Sequence, residues 1–216
     1  MNKILFFTTS LIFLPIFVLL TFAEELKPIQ LLKPQVDKGR PLMQVLKDRS
    51  SSRSFSKENL PLQVMSNLLW AAFGVNRPET GKRTAPSAVN WQEIDIYVAT
   101  SDGLYVYDAK AHMLKPILSK DIRAMTGRQD FVKDAPVNLI YVADYSRMGT
   151  STKEDNDLYS AADTGFISQN VYLYCASEGL VTVVRGSIDR QALAQVMKLR
   201  PDQKIILAQS VGYPKK

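Results

Sequence analysis

Residues 137–143 read Val-Asn-Leu-Ile-Tyr-Val-Ala. This run limits the fold more than any other stretch of the chain. A strand with one wet face alternates apolar and polar side chains. This one is apolar at nearly every position, so both of its faces must be covered. It belongs at the centre of a sheet that carries packed layers on both sides.

The remaining periodicity supplies those layers. Residues 94–99 (Ile-Asp-Ile-Tyr-Val-Ala) and 104–107 predict two strands joined at Asp102-Gly103, a hairpin signal. Further strands are predicted over 181–185 and 205–211. Over 61–73, Leu62, Met65, Leu68, Leu69 and Ala72 fall on one helical face, and Gly74 ends the helix. In this stretch Met65 and Trp70 are packing residues. A short helix over 41–47 starts at Pro41. The longest helix is expected over 157–177, with Gly165, Val171, Tyr172 and Cys175 on its buried side and Gly179 as its stop. Asp189 caps a last helix over 190–199. The fold class is therefore α+β: a mixed, mainly antiparallel sheet with helices packed on both faces. Residues 76–82 read as a loop. No Gly-x-Gly-x-x-Gly follows a strand, so a doubly wound dinucleotide-binding fold has no support.

The N-terminus sets the compartment. Lys3 precedes an apolar run over 4–22, small residues stand at Thr21 and Ala23, and Glu24-Glu25 follow. This pattern is that of a secretory signal cleaved after Ala23. The alternative is an uncleaved membrane anchor, since ~20 apolar residues span a bilayer. Either way the protein is expected outside the cytoplasm, periplasmic or extracytoplasmic, with a membrane tether if the signal stays. Residues 24–40, with Pro28 and Pro34, read as an arm, and 41–216 as one domain. The net charge of +6 is scattered. With no basic stripe and no interleaved aromatics, nucleic acid is not indicated as a partner. Cys175 is the sole cysteine, so no disulfide forms within the chain, and its apolar setting reads as a structural thiol. His112, the sole histidine, reads as a surface-loop residue, and no His-based metal cluster or catalytic triad can be assembled.

Two segments carry chemistry. Residues 49–55 read Arg-Ser-Ser-Ser-Arg-Ser-Phe. In an extended backbone Arg49, Ser51 and Arg53 share one side, with Ser50 between them. Two guanidinium forks around a hydroxyl suit a phosphate. Residues 83–92 read Arg-Thr-Ala-Pro-Ser-Ala-Val-Asn-Trp-Gln. Pro86, Ser87 and Ala88 form a loop of small residues that a flat ligand can approach, and Asn90 and Gln92 add amides that donate and accept.

The order and spacing of these segments resemble the nitroreductase family of FMN-dependent oxidoreductases, over residues 42–214. The likeness points to the small branch related to azoline-forming dehydrogenases. It implies FMN as cofactor, a small-molecule substrate, a homodimer whose pockets draw on both chains, and two flavin half-reactions with no amino-acid nucleophile. It also implies roles for residues. Arg49, Ser50, Ser51 and Arg53 would serve the phosphate and the flavin edge. Pro86, Ser87, Ala88 and Asn90 would line the ring, with Gly179 near the flavin. Lys215, after Val211-Gly212-Tyr213-Pro214, would be a third cation for the phosphate. Nicotinamide cofactors are scarce outside the cytoplasm, so a redox partner or small diffusible donor is expected. A non-catalytic, exported flavin- or ligand-binding protein is the alternative function.

Overall fold

The computed structural model describes residues 25–215. The signal or anchor expected over 1–23 lies outside them, as does Glu24. Among the described residues no helix is long and apolar enough to cross a membrane.

The elements follow in the order β1 (Ile29–Gln30), α1 (Leu42–Asp48), α2 (Leu62–Phe73), β2 (Val75–Arg77), β3 (Lys82–Arg83), β4 (Ile94–Ala99), β5 (Leu104–Asp108), β6 (Met113–Leu118), β7 (Val137–Asp144), α3 (Lys153–Glu178), β8 (Val181–Arg185), α4 (Arg190–Met197) and β9 (Gln203–Gly212). The main sheet runs β1-β6-β5-β4-β7-β9-β8, and β2 and β3 make a separate hairpin. Every pairing in the main sheet is antiparallel, so the expected mixed, mainly antiparallel sheet contains no parallel pair.

The apolar run forms β7, central in the sheet and buried at every position. Its alternation sorts the two layers. Val137, Leu139, Tyr141 and Ala143 join Ile94, Ile96 and Val98 of β4 against α2 and α3. Ile140 and Val142 point the other way, with Tyr97 and Ala99, against Leu193 and Met197 of α4. Leu68, Leu69, Leu139 and Ile140 are fully buried. Each such side chain contributes roughly 1.5–3 kcal/mol. Helix α3 is the long spine of the first layer, with 26 residues. Thr152 caps it: its hydroxyl accepts from the Asp155 N–H at 3.1 Å and donates to the Asp155 carboxylate at 2.9 Å. Gly179 closes it in the left-handed region, φ +70°. Asp189 caps α4 as expected, accepting from Ala192 N–H.

Several expectations are corrected. α3 starts four residues before the expected 157, because the Thr152 cap satisfies a polar first turn. Val171 and Cys175 are buried as expected, but Gly165 is exposed and Tyr172 half-buried, and Asp163 and Ile167 complete the buried side. Residues 76–82 are not a plain loop but the turn and flanks of the β2–β3 hairpin. The β4–β5 turn centres on Ser101-Asp102, with Thr100 N–H donating to the Gly103 carbonyl at 2.9 Å. Gly103 follows the turn because a Cβ there would sit 2.3 Å from the Leu118 carbonyl oxygen. The arm does more than tether: Ile29–Gln30 pairs with β6 and Leu31 is buried in the core. His112 is no free loop residue. Its ring meets Ser66 Oγ at 2.8 Å and Tyr107 OH at 2.9 Å, and burial lowers its pKa.

Candidate active site

The Arg-Ser segment leaves α1 and runs between the β8 edge and the C-terminus. Ser52 N–H donates to the Thr182 carbonyl at 3.0 Å, and Ser56 N–H to the Tyr213 carbonyl at 2.9 Å. Phe55 is buried, bridged to Pro214 and packed 6.0 Å from the Phe131 ring. With its ends pinned, the segment presents its polar side chains outward. Arg49 and Ser51 converge on Tyr172 of α3. The Arg49 guanidinium lies 5.3 Å from the ring centroid, and Ser51 Oγ lies 2.9 Å from the Tyr172 hydroxyl. That hydroxyl also accepts from Val184 N–H at 2.9 Å. Ser50 is exposed.

Arg53 turns into a cavity of about 940 Å³. Lys57, Gly179 and Lys215 also line it, and Phe55, Phe131 and Tyr213 give it aromatic surface. Glu58 and Asp134 lie at the same cavity, so its cations and carboxylates are mixed. The Phe55–Pro214 bridge holds the C-terminal segment against the core and brings Lys215 to the cavity.

The second segment is built over two buried carboxylates. Ala88 N–H donates to Asp163 Oδ2 at 2.9 Å. Ser87 Oγ donates to Glu93 Oε2 at 3.2 Å and accepts from Gln92 N–H at 2.8 Å. Glu93 is fully buried, Asp163 nearly so, and the two carboxyl groups lie within hydrogen-bonding reach of each other. Burial, reinforced by the charge of Asp163, pushes the Glu93 carboxyl up to about 7. The loop is strained. Val89, Asn90 and Gln92 adopt left-handed φ values of 51°, 59° and 50°. For a β-branched residue such as Val89 this costs on the order of 1–3 kcal/mol. The bonds to Asp163, Ser87 and Glu93 hold it there. The result is Val89 projecting into solvent, 80% exposed, with Asn90 beside it.

Within one chain, then, Arg53, Gly179 and Lys215 share a cavity, while Arg49 and Ser51 are held over Tyr172 and do not line it. Pro86, Ser87 and Asn90 line a different, smaller cavity. The anchors of the two segments on α3, Tyr172 and Asp163, are nine residues apart, about 13 Å along the axis. Tyr172, Asp163 and Glu93 were not singled out as site residues by sequence reasoning. Asp163 carried a signal: it shares the 163, 167, 171, 175 face of α3 with Ile167, Val171 and Cys175, an acid on an otherwise apolar stripe. Tyr172 carried none, since a helical tyrosine reads equally as packing. Trp91 packs edge-on against Tyr159, 5.7 Å between centroids, as a packing residue. Cys175 is buried and free, its thiol pushed up by burial, and so is structural.

Comparison with known proteins decides the family. The nitroreductase family model matches residues 46–213. The chain belongs to the nitroreductase family. A nitroreductase-like protein of Methanocaldococcus jannaschii is 32% identical over 169 residues, covering 74% of this chain and 85% of its own. A solved nitroreductase-like protein of Ralstonia eutropha JMP134 is 46% identical, with a TM-score of 0.84 over 88% of this chain and 90% of its own. A family structure solved with FMN, from Desulfovibrio desulfuricans, is 23% identical with a TM-score of 0.60, over 82% of this chain and 88% of its own, and shares the fold. As a family member the chain is a flavin-dependent oxidoreductase of nitroreductase type.

Proposed function

We propose that this nitroreductase uses FMN, works as a homodimer and passes electrons to a small organic acceptor in a two-step, ping-pong cycle. The observation that carries this reading is the cavity lined by Arg53, Lys57 and Lys215 together with Phe55, Phe131 and Tyr213. Its donor set fits the cofactor: cations for a phosphate and aromatic faces for a flat ring. When bound, FMN supplies the electron-pair transfer, accepting from a donor and passing on to the acceptor.

The protein's own residues bind and orient. Arg53 and Lys215 hold the phosphate, and Arg49 and Ser51, ordered on Tyr172, complete the cationic rim. The 86–90 loop of a second copy covers the ring. Two features support the second copy. The Arg-Ser and Pro-Ser segments stand apart in one chain, so a single chain leaves the pocket half built. Large apolar side chains are also uncovered at two separate places: Leu42 (60% exposed) and Met43 (76%) on α1, and Leu158 (63%) near the start of α3. Exposed apolar patches of this kind mark interaction surfaces. We further propose that the chain is related to the branch of azoline-forming dehydrogenases, on the order and spacing of the 49–55 and 83–92 segments.

The test is an absorbance spectrum and a solution mass for the purified full-length protein. We expect a yellow protein with one FMN per chain and the mass of a dimer. Arg53→Ala should weaken FMN binding by about one to two decades, the loss of one charge-assisted contact. A colourless protein that takes up no added FMN would refute the reading. Flavin that binds but is never reoxidised by a quinone or nitroaromatic would replace it with the non-catalytic alternative.

A further inference from the structure

Beside the strained loop, a cavity of about 210 Å³ is lined by Arg77, Lys82, Arg83, Pro86, Ser87 and Asn90, with Ala85 and Gln92 completing the wall. Three cations and no carboxylate face it. Arg83 is built into place. Its guanidinium lies 4.4 Å over the Phe73 ring, Nε donates to Gln92 Oε1 at 2.7 Å, and Nη1 donates to the Phe73 carbonyl at 3.3 Å. Arg77 is fixed on the β2–β3 hairpin, with Nη2 donating to the Arg83 carbonyl at 2.7 Å and Nε to Asn76 Oδ1 at 3.0 Å.

Among the described residues none of the three forms an ion pair. The carboxylates whose field reaches Arg83 are Asp95 and Asp108. Both are taken: Asp95 by Arg147 and Asp108 by Lys115, each at 2.6 Å. Burial lowers the Arg83 pKa. Three like charges thus converge without a counter-charge, on the loop where the flavin ring is proposed to lie. Placing like charges together is unfavourable, and a bound anion offsets it. The cavity lies below the ~300–1,000 Å³ of sites for drug-sized ligands. That leaves room for an anionic group and its stem. Arg forks match a planar carboxylate.

We propose that this cavity is a binding subsite for the carboxylate of an acidic substrate. Carboxylate binding stands without the flavin; that the carboxylate belongs to the substrate rests on the function proposed above.

The test pairs calorimetry with reoxidation, on the full-length protein and its Arg77→Gln/Lys82→Gln variant. Both side chains sit on the hairpin, outside the core, and the single Lys82→Glu variant provides a second probe. Benzoate is titrated first. We expect binding that weakens with salt and falls by about tenfold in the double variant, roughly one lost charge-assisted contact. Lys82→Glu should weaken it as well. The dithionite-reduced, flavin-loaded protein is then reoxidised with 4-nitrobenzoate or 4-nitrobenzamide. The wild type should favour the charged compound by about tenfold, and the variant should lose that preference. Absent benzoate binding, or binding equal in wild type and both variants, overturns the proposal. So does a site that takes inorganic phosphate and rejects benzoate. If the protein takes up no flavin while benzoate affinity still drops in the variants, the flavin reading fails and the subsite stands. If both nitro compounds reoxidise the flavin alike and benzoate does not bind, the subsite fails and the flavin reading stands.

Discussion

The Glu93 carboxyl is predicted to make this protein less stable as pH rises from about 4.5 to 7. The perturbation that exposes this is Glu93→Gln. Glu93 is 0% exposed, and the Asp163 carboxyl lies within hydrogen-bonding reach of its own. Burial, then the Asp163 charge, lifts its pKa from an ordinary 4.5 to about 7. The sign follows from the proton count. Between these two values the folded chain holds a proton that the unfolded chain has released, so stability falls as pH rises through this window. The loss is complete above about 7. At 1.36 kcal/mol per decade of proton affinity it comes to roughly 3 kcal/mol. Glutamine removes the dependence and keeps the contacts: its carbonyl accepts from Ser87 Oγ, and its amide donates toward Asp163 as a protonated carboxyl would. Urea unfolding of both proteins at pH 5 and pH 8 measures it. Near pH 5 the two should be about equally stable. At pH 8 the variant should be the more stable by roughly 2–3 kcal/mol. In a chain of this size that corresponds to several degrees in Tm, at about 2–4 °C per kcal/mol. Parallel pH profiles for the two proteins would refute the reasoning, because they would mean that ionised Glu93 is not penalised in the fold.

Three further outcomes are expected. Among the described residues Arg185 forms no ion pair; it is buried and donates to the Thr126 carbonyl, Thr126 Oγ1 and Asn138 Oδ1. Arg185→Met should lower stability by about 1–3 kcal/mol, read by urea unfolding, by leaving the Thr126 carbonyl without its donor. Gly103→Ala should cost about 1–3 kcal/mol in the same assay and disturb the β5–β6 ladder, since its Cβ would meet the Leu118 carbonyl oxygen at 2.3 Å. N-terminal sequencing of protein recovered from cells should find a mature chain beginning near Glu24 in an extracytoplasmic fraction, and an intact Met1 on cytosolic protein would overturn the export reading.

What the sequence discloses depends on how long a physical signal runs. β7 was legible because a strand covered on both faces must be apolar throughout, and seven residues say so. Helix α2 was legible for the same reason: Met65, Leu68, Leu69 and Ala72 repeat at helical spacing and all are buried. Strands of two or three residues carry no period, so β1 and the β2–β3 hairpin were invisible. β6 was hidden by Pro116, which is tolerated because β1 covers only Met113 and Leu114 and leaves the rest of that edge unpaired.

The candidate site divides along the same line. Arg49, Ser51, Arg53 and the Pro86–Asn90 loop could be named, because short motifs of charged and small residues are local. What holds them is not local. Tyr172 orders Arg49 and Ser51 from more than a hundred residues away, and Asp163 fixes Ala88 at a separation of 75. The same reasoning explains Val89. Nothing in the sequence around a valine announces a left-handed backbone, and local propensity argues against it. Ser87, Asp163 and Glu93 impose it from below. Relaxing them should therefore move the loop as one unit. The Glu93→Gln variant, which keeps the contacts, should leave the loop in place, whereas removing the Asp163 acceptor should release Ala88 and with it the strain stored at Val89.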